Sequence, residues 1–213
     1  MAETKRLKLL VATHNPGKVR EYRELLASLP VELTWPGELG LKVEVEENGE
    51  TFAENAVRKA LAYAQASGLW TLADDSGLEV DALGGAPGVR SARYAGPGAT
   101  DEDRYHLLLR RMEEVPEGRR QARFRCVIAL ANPQGQVWTA EGTVEGVIIR
   151  EPRGSGGFGY DPVFYMPEVG CTMAELRADQ KNRISHRARA AEAIRPILAR
   201  LAAQELTGRR DTA

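Results

Sequence analysis

The chain has 213 residues, with 29 Lys and Arg against 30 Asp and Glu, for a formal net charge of −1. Hydrophobic residues make up 43% and charged residues 28%, a balance that allows a real globular core in one large domain or two small lobes. Near-neutral charge excludes a general basic field for nucleic acid or a membrane surface, and no apolar run reaches membrane-spanning length.

The N-terminus carries basic residues but only a short apolar run and no small-residue cleavage pattern, so no signal peptide is expected. Residues 7–12 read as a buried strand. Helical spacing then begins, with Val19, Tyr22, Leu25, Leu26 and Leu29 on one face. Asn15 suits the cap of that helix and Pro16 its first position. Residues 13–18 are therefore a strand-to-helix loop, with backbone N–H groups, a hydroxyl, an amide and an ammonium at a helix start, the ingredients of a phosphate site. The spacing is not that of a Walker A loop. Taken alone, the same residues are a capped helix start with a solvated lysine.

Residues 31–45 read as strand with a Pro36-Gly37 turn inside. Glu46-Glu47-Asn48-Gly49 follows, then Thr51-x-x-Glu54, a capping-box pattern. The helix it opens has Phe52, Ala53, Ala56, Val57, Ala60, Leu61 and Ala64 on its apolar face, with Lys59 off its centre, and Gly68 closes it. Residues 69–73 form a short apolar strand. Asp74 and Asp75 stand at its expected end, and Ser76-Gly77 is expected to turn the chain. Neighbouring strand side chains point to opposite faces, so one aspartate is expected in the chemistry or on a metal, and the other in the scaffold.

Thr100-x-x-Asp103 marks another helix start. Residues 122–131 alternate as a strand, and Asn132-Pro133-Gln134-Gly135 turns it into a partner over 137–150. Gly154-Ser155-Gly156-Gly157-Phe158-Gly159 matches a dinucleotide fingerprint in letters. It is followed by Tyr160-Asp161-Pro162-Val163-Phe164, which reads as extended chain rather than helix, so that reading is set aside. The loop instead presents Phe158 for stacking on a base and Asp161 as an acceptor for base N–H groups. Thr172-x-x-Glu175 starts a short helix. Residues 180–187 are dense in donors, and Ser185 caps the last helix, in which Pro196 is expected to make a kink or irregular turn. Residues 207–213 read as a frayed tail.

Two segments thus supply cations and donors, two supply carboxylates, and one supplies an aromatic and an acceptor. A nucleoside triphosphate with Mg²⁺ needs all three kinds of group. Few His and Cys are available for a zinc site, and the two cysteines, Cys126 and Cys171, suit a reducing cytoplasm.

Ala12-Thr13-His14-Asn15-Pro16-Gly17-Lys18, Glu54-Asn55-Ala56-x-x-Lys59-Ala60, Ala73-Asp74-Asp75-Ser76-Gly77-Leu78, Gly84-Gly85-Ala86-Pro87-Gly88, Gly156-Gly157-Phe158-Gly159-Tyr160-Asp161-Pro162 and Ile184-Ser185-His186-Arg187 together resemble the inosine triphosphatase family. The likeness runs in one order from about residue 7 to about residue 201. It implies an α/β fold with a long, mixed, twisted sheet flanked by helices, in two lobes around an active-site cleft, all within residues 1–206. It implies a homodimer that uses Mg²⁺ to hydrolyse ITP, dITP and XTP to the monophosphate and pyrophosphate. By position, Asp75 matches the proton acceptor and, with Glu46, the metal ligands; Glu47 is the alternative register. Thr13, His14, Asn15, Pro16, Gly17, Lys18 and Lys59 match substrate-binding positions. So do Ser76, Phe158, Gly159, Tyr160, Asp161, Lys181, His186 and Arg187. Cys171 stands where related sequences are expected to carry Lys. Competing readings are a pyrophosphatase for other modified nucleotides, similar to the Maf enzymes, and a catalytically silent nucleotide-binding regulator.

Overall fold

The apolar run Leu7–Val11 forms strand β1, and Leu9 and Leu10 are fully buried in it. Its computed structural model, which describes residues 6–208, shows a mixed seven-stranded sheet and an α/β fold. Strand β1 lies between β2 (Val31–Thr34) and β3 (Trp70–Val80), parallel to both. Beyond β3 the order continues through β4 (Gln121–Ala131), β5 (Val137–Ile148), β6 (Phe164–Met166) and β7 (Cys171–Thr172). Strand β6 runs antiparallel to β5 and β7.

The helices start where their caps predict. Asn15 accepts from the Gly17 and Lys18 amides at the head of α1 (Pro16–Leu25). Thr51 accepts from the Glu54 amide at the head of α2 (Phe52–Ser67), which Gly68 ends in the left-handed region at φ 68°. A full capping box between Thr100 and Asp103 opens α3 (Asp101–Arg111). Helix α4 spans Ala178–Ile184, and the Ser185 hydroxyl takes the Ala188 amide at the start of α5 (His186–Gly208). Helix α5 runs on through Pro196, Thr207 and Gly208; the rest of the expected tail, 209–213, lies outside the described residues.

The chain divides into two compact units. One comprises Met1–Asp75, Val127–Glu141 and Ala190–Ala213; the other comprises Ser76–Cys126 and Gly142–Arg189. In the first, Ala56, Ala60 and Ala64 make a fully buried stripe along α2, and Tyr22, Leu72, Ile194 and Leu198 are equally buried. In the second, Leu78, Leu108, Met112, Phe124, Ile148 and Phe164 are the centre of one hydrophobic cluster.

Three expectations are corrected. Strand β2 ends at Thr34, not near residue 45, because Trp35 O accepts from the Glu38 and Leu39 amides and Pro36 O from Leu41, turning the chain. Ser76-Gly77 is not a turn. Strand β3 continues through it to Val80, past its pairing with β1 at residues 70–72 and with β4 as its other neighbour, and Gly77 does not take a positive φ. Residues 160–163 are a turn rather than extended chain, with Tyr160 O accepting from the Val163 and Phe164 amides.

Gly146 in β5 shows how tightly the second unit is closed. A Cβ there would lie 2.6 Å from Phe164 Cζ and 2.6 Å from Tyr165 O. The backbone oxygen cannot swing aside, so Gly146→Ala is expected to lose about 1–3 kcal/mol of stability. A lower urea midpoint with an unchanged slope checks this; an unchanged midpoint means that β6 moves freely.

Candidate active site

The first unit carries a polar seam on α2. Asn55, Lys59 and Tyr63 are four residues apart, so they lie on one face. Each reaches a different segment. Asn55, fully buried, donates from Nδ2 to Asp75 Oδ2 at 2.9 Å and accepts from the Gly49 amide at 2.8 Å. Lys59 forms an ion pair with Glu47 and donates to Asp74 O at 3.3 Å. Tyr63 gives its hydroxyl proton to Val43 O at 3.2 Å, so His14 Nε2, at 3.1 Å, must be the donor to that hydroxyl.

Lys18 Nζ meets Asp74 Oδ2 at 2.9 Å. Asp74 and Asp75 are both buried, and the strand directs them to different partners, Lys18 and Asn55. Burial pushes the Asp75 carboxyl above the usual aspartate range. The Asn55 hydrogen bond and the charges of Lys18 and Lys59 oppose the shift, and the charge of Glu47 adds to it. Burial pulls the Lys59 ammonium down, but Glu47, Asp74 and Asp75 outweigh it and leave the group above its ordinary value. Glu46 accepts from Asn48 Nδ2 at 3.0 Å; of the two glutamates, Glu47 is the one whose charge Asp75 feels. In the first loop Asn15 N donates to Thr13 Oγ1, and Asn15 Oδ1 takes the Gly17 and Lys18 amides. The cap therefore uses the backbone donors expected for an anion, and the loop's offering becomes its side chains.

The second unit gathers the remaining candidates around one ring. Lys181 Nζ sits 4.5 Å from the Phe158 ring centre and 2.6 Å from Asp161 Oδ2. The Arg187 guanidinium is 5.6 Å from the same ring and donates to Ser76 Oγ at 3.0 Å. Asp161 also accepts from the Phe158 amide at 2.9 Å, so its carboxylate organises the loop as well as being a candidate acceptor. His186 stacks on Phe124, with ring centres 4.8 Å apart and planes 13° apart. Tyr160 donates to Ser91 O, and Gly159 N donates to Asp101 Oδ2 at 2.7 Å. The glycines here serve close packing. A Cβ on Gly154 would strike the Ala174 backbone at 2.5 Å, and one on Gly157 would overlap Asp161 Oδ2 at 2.0 Å.

One group thus combines carboxylates with lysines, the other a cation-flanked aromatic with donors. A family model described as the Ham1 family matches residues 9–197. The chain belongs to the Ham1 family. It is 55% identical over 195 residues to a protein of Desulforamulus reducens named dITP/XTP pyrophosphatase, covering 92% of this chain and 97% of that one. A Bacillus subtilis protein of the same name is 47% identical over 189 residues, covering 89% and 96%. A solved HAM1 protein from Coxiella burnetii superposes with a TM-score of 0.83 at 45% identity, over 90% of this chain and 98% of that one.

Reasoning from this Ham1 sequence missed three residues. Asn55 and Tyr63 were invisible as site residues because each needs a partner distant in the chain, although their four-residue spacing from Lys59 was there to read. Asp101 lies in the first turn of α3, where acidic residues are ordinary. Removing Asn55 takes a hydrogen-bond partner from the buried Gly49 amide and one from the buried Asp75 carboxylate, so Asn55→Ala should cost about 1–3 kcal/mol. Tyr63→Phe, which removes a half-buried hydroxyl's bonds, should cost about 0.5–1.5 kcal/mol. Denaturant unfolding of both variants checks the order; a larger loss for Tyr63→Phe would reverse the ranking of the seam.

Proposed function

We propose that this Ham1 chain hydrolyses the bond between the α- and β-phosphates of ITP, dITP and XTP, releasing the monophosphate and pyrophosphate, and so removes deaminated purines from the nucleotide pool. The observation that carries the reading is the buried Asp75, held by Asn55 beside Lys18, Lys59 and Glu47, in a chain half identical to proteins named for this activity. Asp75 is assigned the proton of the attacking water. Thr13, His14, Asn15, Pro16, Gly17, Lys18 and Lys59 form the phosphate side. Ser76, Phe158, Gly159, Tyr160, Asp161, Lys181, His186 and Arg187 form the base and sugar side.

Mg²⁺ suits the donor set on the first side. Carboxylate oxygens are hard ligands, and a cation would relieve the burial and the neighbouring negative charge that push Asp75 up. Among the described residues no group of three or more His, Cys, Asp or Glu stands ready to hold a metal, so phosphate and water oxygens would complete the shell. When bound, the ion supplies charge neutralisation on the phosphates and acidifies water. Glu46 and Asp75 are the assigned ligands. Glu47 is the second reading, because its charge acts on Asp75. Comparing the Mg²⁺ dependence of Glu46→Gln and Glu47→Gln decides between them.

Hypoxanthine and xanthine carry a 6-oxo group and an N1–H, whereas adenine carries a 6-amino group and a bare N1. A donor facing position 6 therefore accepts the first two and meets a donor in adenine. Arg187 is permanently charged, lies beside the Phe158 ring and is assigned that donor. Guanine shares O6 and N1–H, so it is rejected at its 2-amino group. A catalytically silent regulator would need neither Asp75 nor its supporting network. The cytoplasm as workplace and the homodimer complete the proposal; light scattering tests the latter. Neither Cys126 nor Cys171 is in a disulfide, and no helix among the described residues is long and apolar enough to cross a membrane.

The decisive assay is a panel of ITP, XTP, GTP, ATP, dTTP and UTP with Mg²⁺ and separate detection of pyrophosphate and orthophosphate. Pyrophosphate release confined to the 6-oxo purines ITP and XTP supports the proposal; orthophosphate or a pyrimidine preference overturns it. Asp75→Asn should lower kcat by at least about 10²–10⁴-fold. It should also raise stability. The fold holds the Asp75 pKa above 3.8, so it favours the neutral acid, and that contribution is lost as pH rises through the folded value. Without divalent cation, Asp75→Asn should therefore melt above wild type at pH 7, with the gap closing below the ordinary carboxylate range. A lower melting point at pH 7 would mean that the carboxylate is net favourable where it lies. Arg187→Ala should narrow the ITP-to-ATP ratio in kcat/KM, by up to about 10⁴–10⁵ if it carries the whole choice. Equal losses on both nucleotides would shift base selection to the residue 158–161 loop.

A further inference from the structure

A surface cavity of about 400 Å³ opens in the second unit, between the later turns of α3 and the segment after β5. None of the residues assigned above lines it. Arg120 does, although it is only 1% exposed. Its Nε donates to Ile148 O at 2.6 Å, and its Nη1 to Met112 O at 2.8 Å and Val115 O at 3.1 Å. All three acceptors are neutral. Among the described residues Nη2 makes no hydrogen bond and the guanidinium no ion pair, yet Nη2 is not sealed from solvent. Arg150 lines the same cavity and donates from Nη2 to the same Val115 O at 3.3 Å, so two guanidiniums converge on one carbonyl. Glu117 pairs with Arg150 and reaches Arg120 only through its field, while the Arg150 charge opposes Arg120. Arg110, exposed on α3, brings a third positive charge, against Glu113 and Glu151 in the lining.

A buried cation whose partners are all neutral is strongly disfavoured unless an anion completes it. The C-terminal end of α3 disfavours an anion, but Arg120 covers the oxygens of Met112 and Val115 just beyond that end. We propose that this cavity binds a small oxyanion, a phosphate or phosphate monoester, with Arg120 Nη2 as its central donor and Arg110 and Arg150 beside it. A guanidinium presents two parallel N–H groups to such an anion. Leu109 and Pro152 give an apolar wall for the body of an ester, and the volume lies in the range of about 300–1,000 Å³ usual for small-ligand sites.

Calorimetric titration of the full chain with inorganic phosphate and with phenyl phosphate, without metal, tests this. The Lys18→Ala variant removes the assigned phosphate lysine and should retain one binding event. In that background Arg110→Glu should weaken binding by about fivefold, the scale of one exposed charge pair, and Arg120→Gln should abolish it. Arg110 has no side-chain bond among the described residues, so its variant decides alone if Arg120→Gln fails to fold. Tighter binding of phenyl phosphate assigns an ester; equal affinities assign the inorganic ion. No binding to Lys18→Ala, or binding indifferent to Arg110→Glu, overturns the proposal.

Discussion

The Asn55 amide is the contact on which the carboxylate side depends. It is fully buried and uses one end on Asp75 and the other on the Gly49 amide. A carboxylate as buried as Asp75 is costly unless its charge is answered or its oxygens are bonded. Asn55 supplies the bond, and Lys18 and Lys59 the answering field. The same amide fixes the acidic loop, because Gly49 comes so near that a Cβ there would lie 2.7 Å from Asn55 Oδ1. A catalytic candidate in a central strand and a loop with no ladder of its own are thus set by one side chain.

Helix α2 extends this control. Its alanine stripe packs into the core, while Asn55, Lys59 and Tyr63 reach respectively the residue 49 backbone and Asp75, Glu47 and the Asp74 carbonyl, and His14 with Val43. One rigid helix therefore holds segments distant in sequence at fixed spacing. In the second unit the comparable device is the Asp161–Lys181 ion pair. At 2.6 Å, with both side chains nearly sealed from solvent, it closes the residue 157–161 turn and leaves Lys181 over the Phe158 ring. Gly157 is required there for space, and Gly159 is held at its amide by Asp101. The glycine run is explained by backbone proximity to residues 161 and 174, not by a dinucleotide.

Strand β3 joins the two groups through the chain itself. Asp75 ends one compact unit and Ser76 begins the other. Asp74 and Asp75 point to different partners because the pleat alternates, and Ser76 goes on to accept from Arg187. Residues of both groups are thus neighbours in the sequence of one strand.

Much of this was legible in the residues. The caps at Asn15, Thr51, Thr100 and Ser185, the left-handed Gly68 and the hairpin at residues 132–135 are local signals, settled by steric and hydrogen-bonding rules within four or five residues. The clustered motifs, in their order, carried the family and the kinds of group in the site. What the sequence could not decide was everything that depends on a distant partner. Ser76-Gly77 has turn composition, but it lies inside a strand that runs on to Val80 beside β4. Glu46 and Glu47 are equivalent in composition, and the Lys59 ion pair together with the charge felt at Asp75 tells them apart. Asn55, Tyr63 and Arg120 are a helix amide, a helix aromatic and a strand-edge arginine until folding brings them Asp75, His14 and three carbonyls. Local rules fix what each segment is; which charges are buried, and beside what, is fixed only by tertiary packing, because the dielectric and the partners that set those energies come from other parts of the chain.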